Sequence, residues 1–269
     1  MAMRRFFFAL MILTMTTRPA AADLVLHAAG SLKDALGEVA GAFARAHGGA
    51  VKTEFGPSGL LRQRIETGAT VDVFASANMG HPAALMKAGK GGPVVLFARN
   101  RLCAIAQPGV AIATATVLEV MLDPKVRLGI STPTADPSGD YAWELFDKAD
   151  LLKPGAAAAL KAKALKLTGG PTSAKAPQGR NTYAWVMEEK RAEVFLTYCT
   201  NALVAAKEFA ALKIVPLPDA LAVGADYGLI VLNDKNPRAA KLALFILSPE
   251  GQAILAGHGF AAPGLPAEK

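Results

Sequence analysis

The sequence predicts an α/β fold, and two observations carry that prediction. Short apolar runs of strand length alternate with segments whose apolar residues recur at helical spacing. The clearest strand-to-helix junctions are short turns of Gly, Ser and Pro, the punctuation of a sheet flanked by helices.

The elements follow in order. Leu24 to Ala29 is a short buried strand that ends at Gly30-Ser31. Leu32, Leu36, Val39, Ala40 and Phe43 then keep a helical period, with Ser31 at the N-cap position and Asp34 placed for a capping-box-like pair. Gly48-Gly49 stops this helix, and Val51 to Phe55 is a second strand. The rhythm repeats: a Gly56-Pro57-Ser58-Gly59 turn, a helix through Leu60, Leu61 and Ile65, a C-capping Gly68 and a strand from Val71 to Ser76. Val94 to Phe97, Leu102 to Ala106 and Val126 to Ile130 look extended. A loop from Ser131 to Gly139 precedes a helix from Asp140 to about Lys148, and the alanine-rich Ala156 to Leu167 is predicted helical. After a Gly-, Pro- and Ser-dense loop at 169–179, a helix starts near Asn181 or Thr182 and runs to about Arg191. Glu193 to Tyr198, Ile214 to Leu217 and Tyr227 to Val231 read as strands, and helices at 238–247 and 249–256 close the chain.

The first residues read as an address. Arg4 and Arg5 precede an apolar run from Phe6 to Met15, and Ala20-Ala21-Ala22 fits the small-residue rule of signal cleavage. The run is shorter than the ~20 residues that span a bilayer. A signal peptide over 1–22 is therefore expected, with the mature chain starting near Asp23. About 245 residues remain, enough for one large domain or two smaller ones.

The formal charge of +7 includes Arg4, Arg5 and Arg18 of the leader; without them 26 basic residues face 22 acidic ones. Lys and Arg are scattered rather than clustered with aromatics, so no nucleic-acid partner is expected. The four histidines are isolated and lack metal-site spacing. Cys103 and Cys199 could form a disulfide in an oxidising compartment, but sequence does not say whether their Cα atoms approach.

Three junctions carry serine: Gly30-Ser31, Pro57-Ser58-Gly59 and Pro137-Ser138-Gly139. A helix N-terminus presents unpaired N–H groups and partial positive charge, serine adds a hydroxyl donor, and glycine lets a ligand come close. In open α/β sheets ligands bind beyond the carboxyl ends of strands, where such turns lie. Each serine could equally be a plain helix cap.

The local sequence adds more. Ala28-Ala29-Gly30-Ser31-Leu32-Lys33-Asp34-Ala35-Leu36, the run Phe55 to Ala69, Val71 to Asn78, Pro137 to Ala142, and Leu247 to Leu255 followed by Gly259-Phe260 resemble the periplasmic molybdate-binding proteins of ABC importers. The resemblance covers nearly the whole mature chain and is looser between about Gly109 and Asn201. It implies a two-lobed periplasmic binding protein of type II, each lobe a sheet flanked by helices, with crossing strands as hinge. Lobe 1 would comprise 23–97 and 221–269, and lobe 2 would comprise 98–220. It further implies a ligand held by Ser31 and Ser58, by a backbone amide at Ser138, and by the Tyr198 hydroxyl. Arg180 or Asn181 falls near a position that normally gives another backbone amide. An arginine in the cleft would suit a carboxylate or a larger anion, whereas a solvated loop arginine would leave the oxyanion reading intact.

Molybdate, tungstate and sulfate are acceptor-only dianions, so a ring of neutral donors satisfies them. A protonated phosphate would also need an acceptor, and sequence does not assign Asp136 or Asp140 to that role. The resemblance thus implies a periplasmic monomer that delivers molybdate, tungstate or a related small anion to an ABC permease, with no cofactor and no metal ion of its own. An organic anion or metal chelate is the alternative ligand. A secreted serine hydrolase is the distant alternative, because Gly56-Pro57-Ser58-Gly59 lacks the Gly-x-Ser-x-Gly spacing and no histidine is tied to a serine. The chain is therefore not expected to be an enzyme.

Overall fold

The first strand of this computed structural model, which describes residues 23–263, is buried because it lies between two parallel neighbours. β1 (Leu24–Ala29) pairs with β2 (Val51–Gly56) on one side and β3 (Val73–Ser76) on the other. The signal peptide expected at 1–22 lies outside the described residues. α1 (Lys33–His47) links β1 to β2 and buries Leu36, Val39, Ala40 and Phe43, the face its helical spacing marks out. α2 (Ser58–Glu66) links β2 to β3, and α3 (Gly80–Lys87) follows β3.

The next strand spans two regions that the sequence suggests as separate strands. β4 (Val95–Ala106) is continuous over 12 residues. Beyond it come α4 (Val117–Leu122), β5 (Leu128–Ser131), α5 (Pro137–Leu152), α6 (Ala156–Lys163), β6 (Leu165–Thr168), α7 (Thr182–Glu188), β7 (Val194–Tyr198), α8 (Cys199–Glu208) and β8 (Lys213–Pro216). β5 runs parallel between β6 and β7. β9 (Gly224–Val231) then returns antiparallel to both β3 and β4. α9 (Pro237–Leu247) and α10 (Pro249–Gly257) finish the chain.

The strand order is β2-β1-β3-β9-β4-β7-β5-β6, with β8 also on β4. The first half of β4 pairs with β9, whereas its second half, from Leu102 on, pairs with β7 and β8. One strand thus belongs to both halves of the sheet, and β9 runs beside it. The result is two α/β lobes, each a sheet flanked by helices, joined through these crossing strands.

Three local expectations shift. The helix expected over 156–167 stops at Lys163, and Leu165–Thr168 becomes an edge strand because β5 offers it a ladder. α5 starts at Pro137 rather than Asp140, since Asp136 caps it by accepting from the Ser138 N–H and proline tolerates the first helical position. α1 starts only at Lys33, after a tight turn over Gly30–Leu32, so Ser31 is not its N-cap.

Candidate functional site

Parallel pairing decides where the serine turns go. β1 and β2 run parallel, so Gly30-Ser31 and Pro57-Ser58-Gly59 leave the same end of the first lobe's sheet. β5 and β7 are also parallel, so the 132–138 loop and Tyr198 leave one end of the second lobe's sheet. The two ends face each other and touch: the Gly59 N–H donates to the Ala135 carbonyl at 2.9 Å. A cleft built on the carboxyl ends of strands is where an α/β protein holds a ligand.

In the first lobe, Ser58 is fully buried as the first residue of α2. Its hydroxyl oxygen accepts from the Ala77 N–H at 3.1 Å. Its own hydrogen remains to be donated. Ser31 lies 2.9 Å, hydroxyl to hydroxyl, from Tyr227 on β9. Asn100 on β4 donates one amide to the Tyr227 oxygen at 3.2 Å and one to Thr200 Oγ1 at 2.8 Å. Either hydroxyl of the Ser31–Tyr227 pair can donate; when Tyr227 gives its hydrogen to Ser31, Ser31 has its own left for a ligand. The serine expected to cap a helix is thereby held by both crossing strands.

In the second lobe, Tyr198 ends β7 with 2% of its surface exposed, and its hydroxyl has no hydrogen-bond partner among the described residues. Its ring packs against Tyr227 and Tyr141, with centroids 5.7 and 6.3 Å away. The Ser138 hydroxyl is also buried without a partner. A buried, unpaired polar group is costly, so two of them at one cleft point to an acceptor supplied from outside the chain. Burial holds the hydroxyls of Tyr198, Tyr141 and Tyr227 above their ordinary range, and pushes Tyr183 up to about 12. All four stay protonated as neutral donors at physiological pH.

The neighbouring carboxylate is less ordinary. Asp136 is pushed up to about 6, first by desolvation and then by the nearby charge of Asp140, against hydrogen bonds from Ser138 and Ser131. The Ser138 amide, which the resemblance implies as a ligand donor, here donates to Asp136 Oδ1 at 3.1 Å. Next to Tyr198, Cys199 opens α8 and bonds Cys103 of β4, their Cα atoms 4.9 Å apart. The disulfide that sequence left open therefore ties the Tyr198 turn to a crossing strand.

Arg180 and Asn181 are engaged elsewhere. Arg180 pairs with Glu188 and Glu208, and these carboxylates raise its pKa further. Asn181 caps α7, its side chain accepting from the N–H groups of Tyr183 and Ala184 at 2.9 and 3.0 Å, while its own N–H donates to Glu208 at 2.7 Å. Sequence reasoning did not find Tyr227, Asn100 or Tyr141. Tyr227 begins an expected strand and Asn100 falls between two, and nothing in the periodicity marks either as facing a cleft.

Comparison with known proteins agrees with this geometry. Residues 24–261 match the family described as bacterial extracellular solute-binding protein. An uncharacterized protein of Pasteurella multocida is 38% identical over 211 residues, covering 78% of this chain and 86% of that protein. The periplasmic molybdate-binding protein of Azotobacter vinelandii superposes with a TM-score of 0.68 at 21% identity, covering 89% of this chain and 99% of that one. The sulfate-binding protein SubI of Mycobacterium tuberculosis superposes with a TM-score of 0.73 at 16% identity, covering 90% and 88%. At such identities the two structures speak for the shared two-lobed fold. The family is one of binding proteins rather than enzymes, in line with the sequence expectation. From its strand-crossed lobes to a match that spans nearly every described residue, this chain belongs to the bacterial extracellular solute-binding proteins.

Proposed function

We propose that this protein captures a small tetrahedral oxyanion, molybdate or tungstate, between its lobes in the periplasm and delivers it as a monomer to an ABC permease of the inner membrane. The carrying observation is the pair of buried, unpartnered hydroxyls of Tyr198 and Ser138, in the lobe whose Ala135 touches the Gly59 turn of the other lobe. With Ser31 and Ser58 they form a set of neutral donors. Such a set suits an anion whose oxygens only accept, since each hydrogen bond to a charged ligand is strong and needs no counter-charge. Arg180, the feature that favoured an organic anion, is paired with two glutamates, which supports the oxyanion reading. Among the described residues no group of three His, Cys, Asp or Glu side chains could hold a metal ion. The molybdate-binding function of the Azotobacter protein, whose fold this chain shares, supports the same ligand here.

In this reading, residues 23–97 and 221–263 move as one body and 98–220 as the other, with β4 and β9 as the hinge. The ligand selects the closed form by bonding donors of both lobes at once.

Isothermal titration of the mature chain with molybdate, tungstate and sulfate tests the proposal. One-to-one binding of molybdate and tungstate, well above sulfate, is expected. Ser31→Ala and Ser58→Ala should each weaken binding by about 1–3 kcal/mol, the worth of a donor to a charged ligand. Unchanged affinity in both variants would overturn the site, and silence from folded, ligand-free protein would overturn the ligand class.

A further inference from the structure

Asp136 puts a carboxylate where the second lobe meets the proposed anion. Its Oδ1 accepts from the Ser138 N–H, the amide at the head of the 16-residue helix α5. That amide would otherwise be open to a ligand oxygen. On its other side the backbone of Gly169 closes in, at a φ of +75°. A Cβ there would fall 2.5 Å from Asp136 Oδ2, so only glycine lets the backbone lie this close to the carboxylate. Among the described residues, no positive charge is among the groups that act on it. From α5 comes Asp140, a second carboxylate. From α7, β7 and β9 come the hydroxyls of Tyr183, Tyr198 and Tyr227, whose own ionisation Asp136 opposes. The Ser138 and Tyr198 hydroxyls beside it are buried and unpartnered.

An ionised Asp136 and a dianion would therefore share one desolvated cleft. Two like charges in such a space retain a proton between them. We propose that the cleft closes on an anion together with one proton, held between the Asp136 carboxyl and a ligand oxygen, so that Asp136 determines which anions are accepted and at what pH. The inference rests on the oxyanion reading above. An acceptor-only dianion takes the proton from solvent: Asp136 gains an O–H, releases the Ser138 amide, and both donate to the ligand. An anion that already carries an acidic hydrogen needs no uptake and donates that hydrogen to the carboxylate. With the lobes in contact, burial already raises the affinity of Asp136 for a proton.

The experiment is calorimetric titration of the mature chain with molybdate at about pH 6 and about pH 8, in buffers of different ionisation enthalpy. The wild type should take up close to one proton per molybdate at the higher pH, and its affinity should fall up to about tenfold per pH unit there. Asp136→Asn keeps a good helix cap. It should bind without uptake and with a flat pH profile. Binding by the wild type with no uptake and no slope would overturn the proton linkage while leaving the oxyanion reading intact. Uptake that persists in Asp136→Asn would overturn the assignment to Asp136. No heat from molybdate, tungstate or sulfate at either pH would overturn both readings together.

Discussion

At the scale of the residue, the same hydroxyl chemistry serves two ends, and context chooses. Ser248 caps α10 by accepting from the Gly251 N–H, as serine commonly does. Ser31 and Ser58 cap nothing: one shares a hydrogen bond with Tyr227, and the other accepts the Ala77 amide with its own hydrogen left to give. Tyr227 is the residue to test. Tyr227→Phe keeps the buried ring and removes the oxygen that orients Ser31. Ligand affinity should fall by about 1 kcal/mol, the net worth of one hydrogen bond, with thermal stability little changed. Titration calorimetry beside a melting curve checks this, and equal losses in affinity and stability would mark Tyr227 as structural only. Ser31, Ser58 and Tyr198 stand out in the sequence as proposed site residues because motifs surround them. Tyr227 and Asn100 do not, because Tyr227 meets Ser31 and Asn100 meets Tyr227 only through pairing between residues more than a hundred positions apart.

At the scale of the element, β4 and α8 matter most. β4 extends past the end of one sheet half into the other, and Cys103 on its second half bonds Cys199 at the head of α8. The bond closes a sequence separation of 96 residues. Long loops are costly to close in the unfolded chain, so such a link stabilises the fold by restricting that state. Replacing both cysteines by serine should cost about 2–5 kcal/mol in denaturant unfolding. Because Tyr198 precedes Cys199, the same variant should also bind ligand more weakly. Unchanged unfolding midpoints would show that the bond is dispensable for stability. α8 escaped the sequence reading since its apolar residues follow directly on a strand. β6 was read as helix because alanine-rich sequence favours helix until a neighbouring strand edge offers a ladder.

At the scale of the whole molecule, the lobes meet backbone to backbone. Gly59 donates to Ala135, and a Cβ on Gly59 would lie 2.2 Å from the Thr134 carbonyl oxygen. No side chain fits there while the cleft is closed. Gly59→Ala should fold normally, since an alanine in the first turn of α2 is unstrained when the lobes are apart. It should disfavour closure by about 1–3 kcal/mol, the cost of overpacking a tight contact. Ligand affinity would drop in proportion, and small-angle scattering with saturating ligand should report a larger radius than for the wild type. Equal affinity and equal compaction would show that the lobes need not meet at Gly59.

The sequence by itself determined the α/β rhythm, the serine-bearing turns and the family they resemble, because apolar period and turn chemistry act over a few residues. It also placed Ser31, Ser58, Ser138 and Tyr198 in order along the chain. Tertiary structure decided the rest: the shared β4, the disulfide, the support of Ser31 by Tyr227 and Asn100, the withdrawal of Arg180 into two ion pairs, and the position of Asp136 beside the cleft. Apart from the Asp136–Ser138 bond and the Arg180–Glu188 pair, which are local, these depend on groups distant in sequence that meet only when the chain folds. Local pattern carries no trace of such meetings, because burial and partner, not residue type, set what each side chain can donate.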